Sequence, residues 1–250
     1  MQMLTPVRVL SAHGPVRVEL ARWRGQLAVV KRLQGVSPVL AARLEREAQV
    51  VSKLEHPNIV PLLAVEDGAL VYAYTPGVNL AEDLEEGPLS ATRGLSIARD
   101  VLSALDYAHQ QDVIHHDVKP GNILIKGETA LLTDFGFAKD LALANITSEQ
   151  MMLGTPNYMA PEQFRGVRTD LRSDIYGFGA VLYHMIAGDP PFGGDVLRFL
   201  VGDESIRLAP LPPQPGDLHE VIHKALSRDP DDRFQSAREM LKALDPVASS

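Results

Sequence analysis

The chain has 250 residues, of which 45% are hydrophobic and 22% are charged, a composition typical of a globular protein with one large domain or two lobes. Its 24 basic and 32 acidic side chains give a formal net charge of −8, which argues against bulk binding to nucleic acid or to an anionic membrane. The sequence has no cysteine and no apolar run near the ~20 residues of a membrane span, which excludes disulfides, thiolate zinc sites and a spanning helix.

Residues 7 to 33 are predicted to form strands, because apolar and polar residues alternate along most of this stretch. The alternating apolar residues are Val7, Val9, Val16, Val18 and Leu20. Residues 24 to 26 (Arg-Gly-Gln) are a turn signal, and the β-rich run that follows ends at Lys31. On its own, a lysine at the end of an apolar strand is interpreted as an edge residue in solvent.

Residues 38 to 54 are predicted to form a helix, because apolar residues recur there at helical spacing. These residues are Leu40, Leu44, Ala48 and Val51. Glu45 and Glu47 lie among them, and without further context both are interpreted as surface charges. The His-Pro-Asn sequence at residues 56–58 predicts the end of the helix.

Two short strands are predicted next, from Leu62 to Val65 and from Ala69 to Tyr72, joined by an Asp-Gly hairpin signal at residues 67 and 68. Beyond residue 77 the apolar spacing becomes helical. The residues that show it are Leu80, Leu84, Ile97, Val101, Leu105 and Ala108. The chain therefore changes from a β-rich part to a helical part near residue 77.

Two polar motifs follow this helical stretch. Residues 113–125 have the sequence VIHHDVKPGNILI, and residues 132–136 have the sequence LTDFG. Asp117 follows an apolar run, where its carboxylate can accept a proton from a hydroxyl, and Lys119 is placed to neutralise a phosphoryl group in transfer. Asn122 and Asp134 offer the hard oxygen ligands that magnesium prefers. Together these groups are the parts that phosphoryl transfer requires.

The pattern H-x-D-x-K-P-x-N followed by D-F-G resembles the catalytic loop and the metal-binding turn of protein kinases. Further matches cover nearly the whole chain. Residues 46–60 match the kinase pattern R-E-A-x-x-x-x-x-L-x-H-P-N-I-V, and residues 160–162 match A-P-E. Asp174 matches the aspartate that ties the catalytic loop to a helix, and Glu162 with Arg233 resembles a buried structural ion pair. The match at residues 46–60 selects Glu47, not Glu45, as the partner of Lys31.

The resemblance implies an α+β, two-lobed protein kinase fold as a single domain over residues 1–250. The small lobe, residues 1–72, is mostly antiparallel β with one main helix; a hinge at 73–77 and a larger helical lobe at 78–250 follow. ATP is expected in the cleft between the lobes, with the backbone of the hinge at the adenine edge.

The resemblance also implies the role of each residue at the site. Asp117 accepts the proton of the substrate hydroxyl, Lys119 steadies the transferring phosphate, and Thr155 hydrogen-bonds to both. Lys31, held by Glu47, pairs with the other phosphates, and Asn122 and Asp134 hold Mg²⁺, with Mn²⁺ as the alternative metal. The remaining nucleotide-binding positions are Ser11, His13, Val18, Val29, Tyr72, Ala73, Tyr74, Thr75 and Leu124. In the family, His115 packs under Phe135.

The chain departs from the kinase pattern at three places. Ser11, His13 and Val16 stand where the phosphate-covering loop has glycines, which leaves its backbone less freedom near phosphates. Val29 replaces a common alanine and adds bulk over the adenine. His116 replaces the arginine that usually holds a phosphate on the activation segment, and neutral imidazole holds phosphate poorly. We therefore expect activity that does not depend on phosphorylation of that segment.

The predicted function is ATP-dependent phosphorylation of serine and threonine in protein substrates, including the kinase itself, as in bacterial serine/threonine kinases. Two alternatives remain at this stage: a pseudokinase that acts as a scaffold or nucleotide-gated switch, and a small-molecule phosphotransferase of related fold. Thr147 and Ser148 are either phosphorylation sites or ordinary exposed hydroxyls. We expect a cytoplasmic protein without a signal peptide, without nucleic-acid partners and without a membrane span, and its oligomeric state is left open.

Overall fold

The computed structural model describes residues 4–12, 16–35, 38–135, 155–167, 169–213 and 217–245. The chain divides into two compact units, Met1–Pro76 and Gly77–Ser250. His13, Thr147, Ser148 and the glycine of the D-F-G motif lie outside the described residues. The boundary between the units falls inside the predicted hinge.

The first unit is a five-stranded antiparallel sheet with one helix, α1, formed by Pro38–Val51. Its strands are β1 (Thr5–Ser11), β2 (Val16–Trp23), β3 (Gln26–Leu33), β4 (Leu62–Glu66) and β5 (Ala69–Ala73). The strand order is β1-β2-β3-β5-β4, so β3 and β5 are interior strands. The predicted strands and the helix are therefore confirmed, with β3 two residues longer than expected at its end.

Both predicted hairpin turns have left-handed backbone at their two central residues. The φ angles are 49° at Arg24 and 80° at Gly25 in the first turn, and 50° at Asp67 and 71° at Gly68 in the second. Two successive positive φ values are the signature of a type I′ turn, whose twist matches that of the flanking strands. Local sequence chemistry therefore determines where these strands reverse.

The predicted helix at residues 38–54 ends earlier, at Val51. The amides of Lys53 and Leu54 bond to carbonyls only three residues back, those of Val50 and Val51, at 3.2 and 3.0 Å. This tightening ends the α-helical pattern before the His-Pro sequence, where a proline disfavours helix in the preceding residue.

The sheet of the first unit has two different faces. One face carries a buried apolar cluster with Leu4 and Ala64 packed against it. The cluster consists of Ala21, Trp23, Ala28, Val30, Ala69 and Val71. The strand register places Val18 opposite Lys31 and Val29 opposite Tyr72 on the other face. Four of the predicted nucleotide-binding residues therefore share one face of one sheet.

The second unit is mainly helical, with a small antiparallel sheet of order β6-β7-β8. Its helices are α2 (Leu80–Leu84), α3 (Ala91–Gln110), α4 (Pro161–Phe164), α5 (Arg172–Ala187), α6 (Val196–Leu200), α7 (Leu218–Ala225) and α8 (Ala237–Leu244). Its strands are β6 (Val78–Asn79), β7 (Ile123–Lys126) and β8 (Thr129–Leu132). The α+β class is confirmed.

Helix α5 is the centre of this unit. Its residues from Ser173 to Tyr183 are all buried, and Tyr176 and Phe178 are fully inaccessible to solvent. An all-round apolar helix of this kind requires neighbours on every side. Helices α3 and α8 begin at serines, Ser90 and Ser236, whose hydroxyl oxygens accept the amides of Arg93 and Glu239.

Gly77 begins the second unit at a close backbone approach. Its φ is 158°, and a Cβ at this position would overlap the carbonyl oxygen of Ile125 in β7. Only glycine allows strand β6 to enter its pairing with β7 here. Within the described residues, none of the helices combines the length and apolar character that crossing a membrane requires.

Candidate active site

A buried carboxylate, that of Asp174 in α5, anchors the loop that carries Asp117. Asp174 is 1% exposed, and its Oδ2 accepts the backbone amide of His115 at 2.7 Å and Nε2 of His109 at 2.9 Å. Its Oδ1 accepts the backbone amide of His116 at 2.7 Å. Burial raises the pKa of Asp174, but the hydrogen bond from His109 and the other donors outweigh burial and hold it below its usual range. The carboxylate is therefore ionised near neutral pH, and its hydrogen bonds hold it to the loop and to helix α3.

His115 joins the loop to the strand end that precedes Asp134. Its Nε2 lies 2.8 Å from the carbonyl oxygen of Thr133, and its Nδ1 lies 3.2 Å from the amide of Asp117. A carbonyl only accepts and an amide only donates, so Nε2 carries the proton and the ring is neutral. Burial lowers the pKa of His115, in agreement with this state. The ring also packs on Phe135, 4.6 Å between centroids, as expected from the resemblance.

The carboxylate of Asp117 is held by two side chains of its own loop. Its Oδ2 lies 2.7 Å from Nζ of Lys119 and accepts Nδ2 of Asn122 at 3.0 Å. The same Nδ2 donates to the backbone oxygen of Asp117 at 2.8 Å. Asp117 is 5% exposed, whereas the Lys119 side chain is 28% exposed. The loop thus presents a fixed carboxylate beside a partly accessible positive charge.

Asn122 and Asp134 fit a hard divalent cation. Both Asn122 hydrogen bonds use Nδ2, and within the described residues its Oδ1 accepts none. The amide of Thr133 donates to the backbone oxygen of Asn122 at 3.0 Å, which brings the neighbouring Asp134 to the same loop. Asp134 has a left-handed φ of 66°, a strained conformation for a residue with a side chain. One amide oxygen and one carboxylate suit Mg²⁺, which usually keeps waters and substrate phosphates as its other ligands.

The segment around the A-P-E motif contacts the same loop from its other side. Nε2 of Gln163 donates to the backbone oxygen of His116 at 3.1 Å. At Gly177 in α5, an added Cβ would lie 3.2 Å from the backbone oxygen of Val118 and 3.3 Å from that of Tyr158. The absence of a side chain at Gly177 therefore lets both segments pack on α5. The Thr155 side chain lies outside the described part of the chain, although its backbone begins the 3-10 turn Thr155–Tyr158.

The ion pair expected between Glu162 and Arg233 is present and buried. The guanidinium donates to both carboxylate oxygens at 2.7 and 2.8 Å, and its side chain has no exposed surface. Ser173 adds a hydrogen bond to Glu162 at 2.7 Å. Burial opposes ionisation of Glu162, but the bonds from Arg233 and Ser173 lower its pKa overall. The pair joins α4 to the segment before α8 and contributes to the fold.

In the first unit, Lys31, Glu47 and Tyr72 form a second polar cluster. Nζ of Lys31 lies 4.0 Å from Oε1 of Glu47, and the hydroxyl of Tyr72 donates to the same oxygen at 2.9 Å. Lys31 also lies over the Tyr72 ring, 5.3 Å from its centroid. All three residues are less than 9% exposed. The structure therefore brings Lys31 and Glu47 together and adds Tyr72 to them.

The other predicted nucleotide-binding residues lie at strand ends and edges. Ser11 ends β1 opposite Val18, and Leu124 is half-buried in β7 opposite Leu131. Ala73 ends β5, where its amide donates to the oxygen of Pro61 at 2.9 Å. Tyr74 and Thr75 follow β5 in the first unit, and their roles toward adenine stay predictions.

Sequence analysis missed three contributions to these clusters. They come from the hydroxyl of Tyr72, the imidazole of His109 and the amide of Gln163. His109 and Asp174 are 65 residues apart, so no local pattern connects them. The one available signal was the polar character of His109 at the end of an otherwise apolar helix face.

Comparisons with known proteins agree with this arrangement. The protein kinase domain family matches residues 12–244. The serine/threonine-protein kinase PknB of Mycobacterium tuberculosis is 37% identical over 221 residues, which are 81% of this chain and 35% of that protein. PrkC of Bacillus subtilis is 37% identical over 209 residues, 79% of this chain and 32% of that protein. This chain thus spans about a third of the length of these relatives.

A solved structure shows the same fold. The kinase domain of Mycobacterium tuberculosis PknI superposes with a TM-score of 0.72 at 30% identity, covering 99% of this chain and 96% of that one. The predicted two-lobed kinase fold is confirmed by this match. The chain therefore belongs to the protein kinase family, as a kinase domain of the bacterial serine/threonine type.

Proposed function

We propose that this chain transfers the γ-phosphoryl group of ATP to serine and threonine hydroxyls of protein substrates, its own included. One observation carries the proposal: a buried Asp117 carboxylate lies 2.7 Å from the Lys119 ammonium and 3.0 Å from the Asn122 amide. A general base, a positive charge and a metal ligand thus occur on one short loop. The names of PknB and PrkC support the same activity class.

In the proposed reaction, Asp117 orients the substrate hydroxyl and accepts its proton as the oxygen attacks the γ-phosphorus. The bond between the γ-phosphorus and the bridging oxygen breaks, and ADP leaves. Lys119 compensates negative charge on the transferring group. Lys31, held near Glu47, compensates charge on the other phosphates.

Asn122 and Asp134 would hold the divalent cation through Oδ1 and a carboxylate oxygen. When bound, the cation neutralises phosphate charge and positions the phosphates for transfer. We propose Mg²⁺ as the metal, because a small number of hard protein oxygen ligands suits an ion that usually keeps waters and substrate phosphates as its other ligands. Mn²⁺ is the alternative metal, and the test must distinguish it from Mg²⁺.

The first test compares the wild type with Asp117→Asn in transfer of labelled γ-phosphate from ATP to itself and to a basic protein. The substitution removes the base but keeps the shape of the side chain. We expect kcat to fall by about 10³-fold, the scale of a lost general base. Asp112→Asn is the matched control: Asp112 is exposed five residues earlier and has a φ of 57°, which asparagine tolerates.

Each outcome of this test discriminates between functions. Transfer in the wild type and in Asp112→Asn, but not in Asp117→Asn, supports a working kinase. Nucleotide binding without transfer in any variant would contradict the proposal and identify a pseudokinase. Transfer to sugars or aminoglycosides in place of protein would identify a small-molecule phosphotransferase.

The metal is tested by removing it with a chelator and restoring either ion. We expect no transfer after chelation and greater kcat/KM with Mg²⁺ than with Mn²⁺ at equal concentration. Asn122→Asp should shift the preference, because a second carboxylate changes the charge at one ligand position. Equal rates with both ions would overturn the assignment of Mg²⁺.

We also propose that activity does not require phosphorylation of the activation segment. The backbone of His116 is fixed on both sides without an activation-segment phosphate, through Asp174 and Gln163. Residues 136–154 of that segment, which include Thr147 and Ser148, lie outside the described residues. Protein treated with a phosphatase should keep its activity on an added substrate to within about threefold, and His116→Arg should gain dependence on phosphorylation. A rise of orders of magnitude in the wild type on phosphorylation would contradict this proposal.

A further inference from the structure

Tyr72 and Lys31 both lie beside the Glu47 carboxylate in the first unit, and the two contacts are not equivalent. The Tyr72 hydroxyl lies 2.9 Å from Oε1, which is a full hydrogen bond. Nζ of Lys31 lies 4.0 Å from the same oxygen, the outer limit of an ion pair and too long for a hydrogen bond. Of these two contacts with Oε1, the one from the tyrosine hydroxyl is the shorter and the directional one.

Tyr72 is also the more rigid partner. It lies on β5, an interior strand bonded to β3 and β4 on its two sides, and it is 4% exposed. Tyrosine has only two side-chain torsions, whereas a lysine ammonium ends a flexible chain of four carbons. A hydroxyl on such a strand fixes the position of the carboxylate that accepts its proton.

Helix α1 carries Glu47 on its buried face, where Leu44, Ala48 and Val51 are the apolar contacts. Apolar contacts are not directional, so they do not by themselves fix the rotation of the helix about its axis. The bond from Tyr72 to Glu47 adds the directional contact between α1 and the sheet.

We infer that Tyr72 is a positioning residue, whose hydroxyl fixes the Glu47 carboxylate and through it the ammonium of Lys31. The inference rests on the proposed function of Lys31 toward the phosphates of ATP. It goes beyond the predicted nucleotide-binding role of Tyr72, for which the ring alone would serve as a wall of the nucleotide site. A wall requires the ring, whereas positioning requires the oxygen.

Tyr72→Phe separates the two roles, because it removes one oxygen and keeps the ring beside Lys31. We expect kcat/KM for ATP to fall about tenfold, the scale of a lost hydrogen bond to a charged group. KM for the protein substrate should change little, whereas the melting temperature should fall by roughly 3–6 °C, because a buried hydrogen bond to a charged group is lost. Tyr176→Phe is the matched control: Tyr176 is fully buried in α5, and its hydroxyl has no hydrogen-bond partner among the described residues.

A double-mutant cycle with Glu47→Gln shows whether the hydroxyl acts through the carboxylate. Glutamine keeps the size of the side chain and removes its charge. We expect Glu47→Gln alone to lower kcat/KM for ATP, and Tyr72→Phe to cause less than a twofold further loss in that background. The same cycle can be measured by calorimetry from the dissociation constants for ATP with Mg²⁺, which does not require phosphate transfer.

Two results would overturn the inference. One is an unchanged kcat/KM for ATP and an unchanged dissociation constant in Tyr72→Phe. The other is a loss of equal size in the wild-type and Glu47→Gln backgrounds. Because the glutamine oxygen can still accept the Tyr72 hydroxyl, this result would mean that the hydroxyl acts independently of the Glu47 charge. If the wild type transfers no phosphate, the proposed function fails, and the calorimetric cycle alone decides on Tyr72.

Discussion

Two carboxylates of this kinase domain are held in opposite ways. Asp174 in the second unit accepts two backbone amides and one imidazole, so it fixes the main chain of a loop. Glu47 in the first unit accepts a side-chain hydroxyl and lies 4.0 Å from an ammonium, and both of these contacts come from side chains. A main-chain anchor determines the positions of several residues together, whereas a side-chain contact determines one.

This difference separates stability from activity. Loss of Asp174 leaves buried amide donors without acceptors, which destabilises the fold and displaces the catalytic loop. Loss of a contact at Glu47 is expected to leave the helix and the sheet in place. It should change mainly the positions of the Glu47 carboxylate and the Lys31 ammonium. The substitutions below test that contrast, from the largest expected effect to the smallest.

Asp174→Asn should break the main-chain anchor. The amide of asparagine keeps one acceptor oxygen, but its NH₂ group would face a buried N–H group that now lacks an acceptor. We therefore expect the free energy of unfolding to fall by about 3–5 kcal/mol. Phosphate transfer should fall at least about 100-fold because Asp117 and Lys119 move with the loop. Urea unfolding and initial rates measure both changes. Asp100→Asn is the control, since Asp100 accepts a single backbone amide, that of Ala130 at 2.8 Å, and should lose about 1 kcal/mol.

Lys31→Met is the counterpart in the first unit. The chain keeps a similar buried volume, and Glu47 keeps its hydrogen bond from Tyr72, so the free energy of unfolding should fall by only about 1 kcal/mol. Transfer activity should nevertheless be lost. A destabilisation as large as that of Asp174→Asn would show that the ion pair, not the tyrosine, holds the cluster together.

The second unit should lose stability as the pH falls, because it holds two histidines with lowered pKa values. Burial lowers the pKa of His115 and of His184, both in the second unit, below the ordinary value of 6.5. A lowered folded pKa gives stability that is complete above pH 6.5 and is lost as pH falls, because the unfolded chain binds the proton first. Each histidine can contribute a slope of at most about 1.4 kcal/mol per pH unit.

The measurement is urea unfolding at several values between pH 7.5 and pH 5. His184→Gln should flatten the profile, whereas His223→Gln, at an exposed position of α7, should leave it unchanged. The lowered pKa values of Asp174 and Glu162 add a second loss at lower pH, below the ordinary carboxyl range. Stability that is independent of pH between 7.5 and 5 would contradict the neutral state assigned to His115.

Asp83→Asn measures the contribution of a partly exposed ion pair, the one between Asp83 and Arg93. Arg93 lies 2.5 Å from Asp83, but its side chain is 42% exposed, so solvent screens the attraction. We expect the free energy of unfolding to change by less than about 1 kcal/mol, with unchanged transfer activity. A larger change would mean that contact distance, not burial, determines the strength of ion pairs in this protein.

The sequence predicted what depends on neighbouring residues. The turns at Arg24-Gly25 and Asp67-Gly68 follow from local chemistry, and the kinase motifs placed Asp117, Lys119 and Asn122 on one loop because they are separated by only a few residues. The choice of Glu47 over Glu45 required the family pattern, since both are equally polar in sequence.

The sequence did not predict contacts that depend on how distant elements meet. The bond from Tyr72 to Glu47 requires both the register of β5 and the rotation of α1, which no residue near either one encodes. The bond from Gln163 to the backbone of His116 joins residues 47 positions apart. Side-chain partners of this kind follow from tertiary packing, and the motifs show only that a polar group is needed.

The buried pair of Glu162 and Arg233 has a consequence for the order in which the protein is made. The two residues are 71 positions apart, so translation exposes Glu162 long before its partner exists. At a typical synthesis rate this interval is roughly 4 to 14 seconds. Burial of Glu162 during that time would place a carboxylate in the interior without its ion-pair partner. We therefore expect the second unit to complete its packing only after Arg233 has been synthesised and can pair with Glu162.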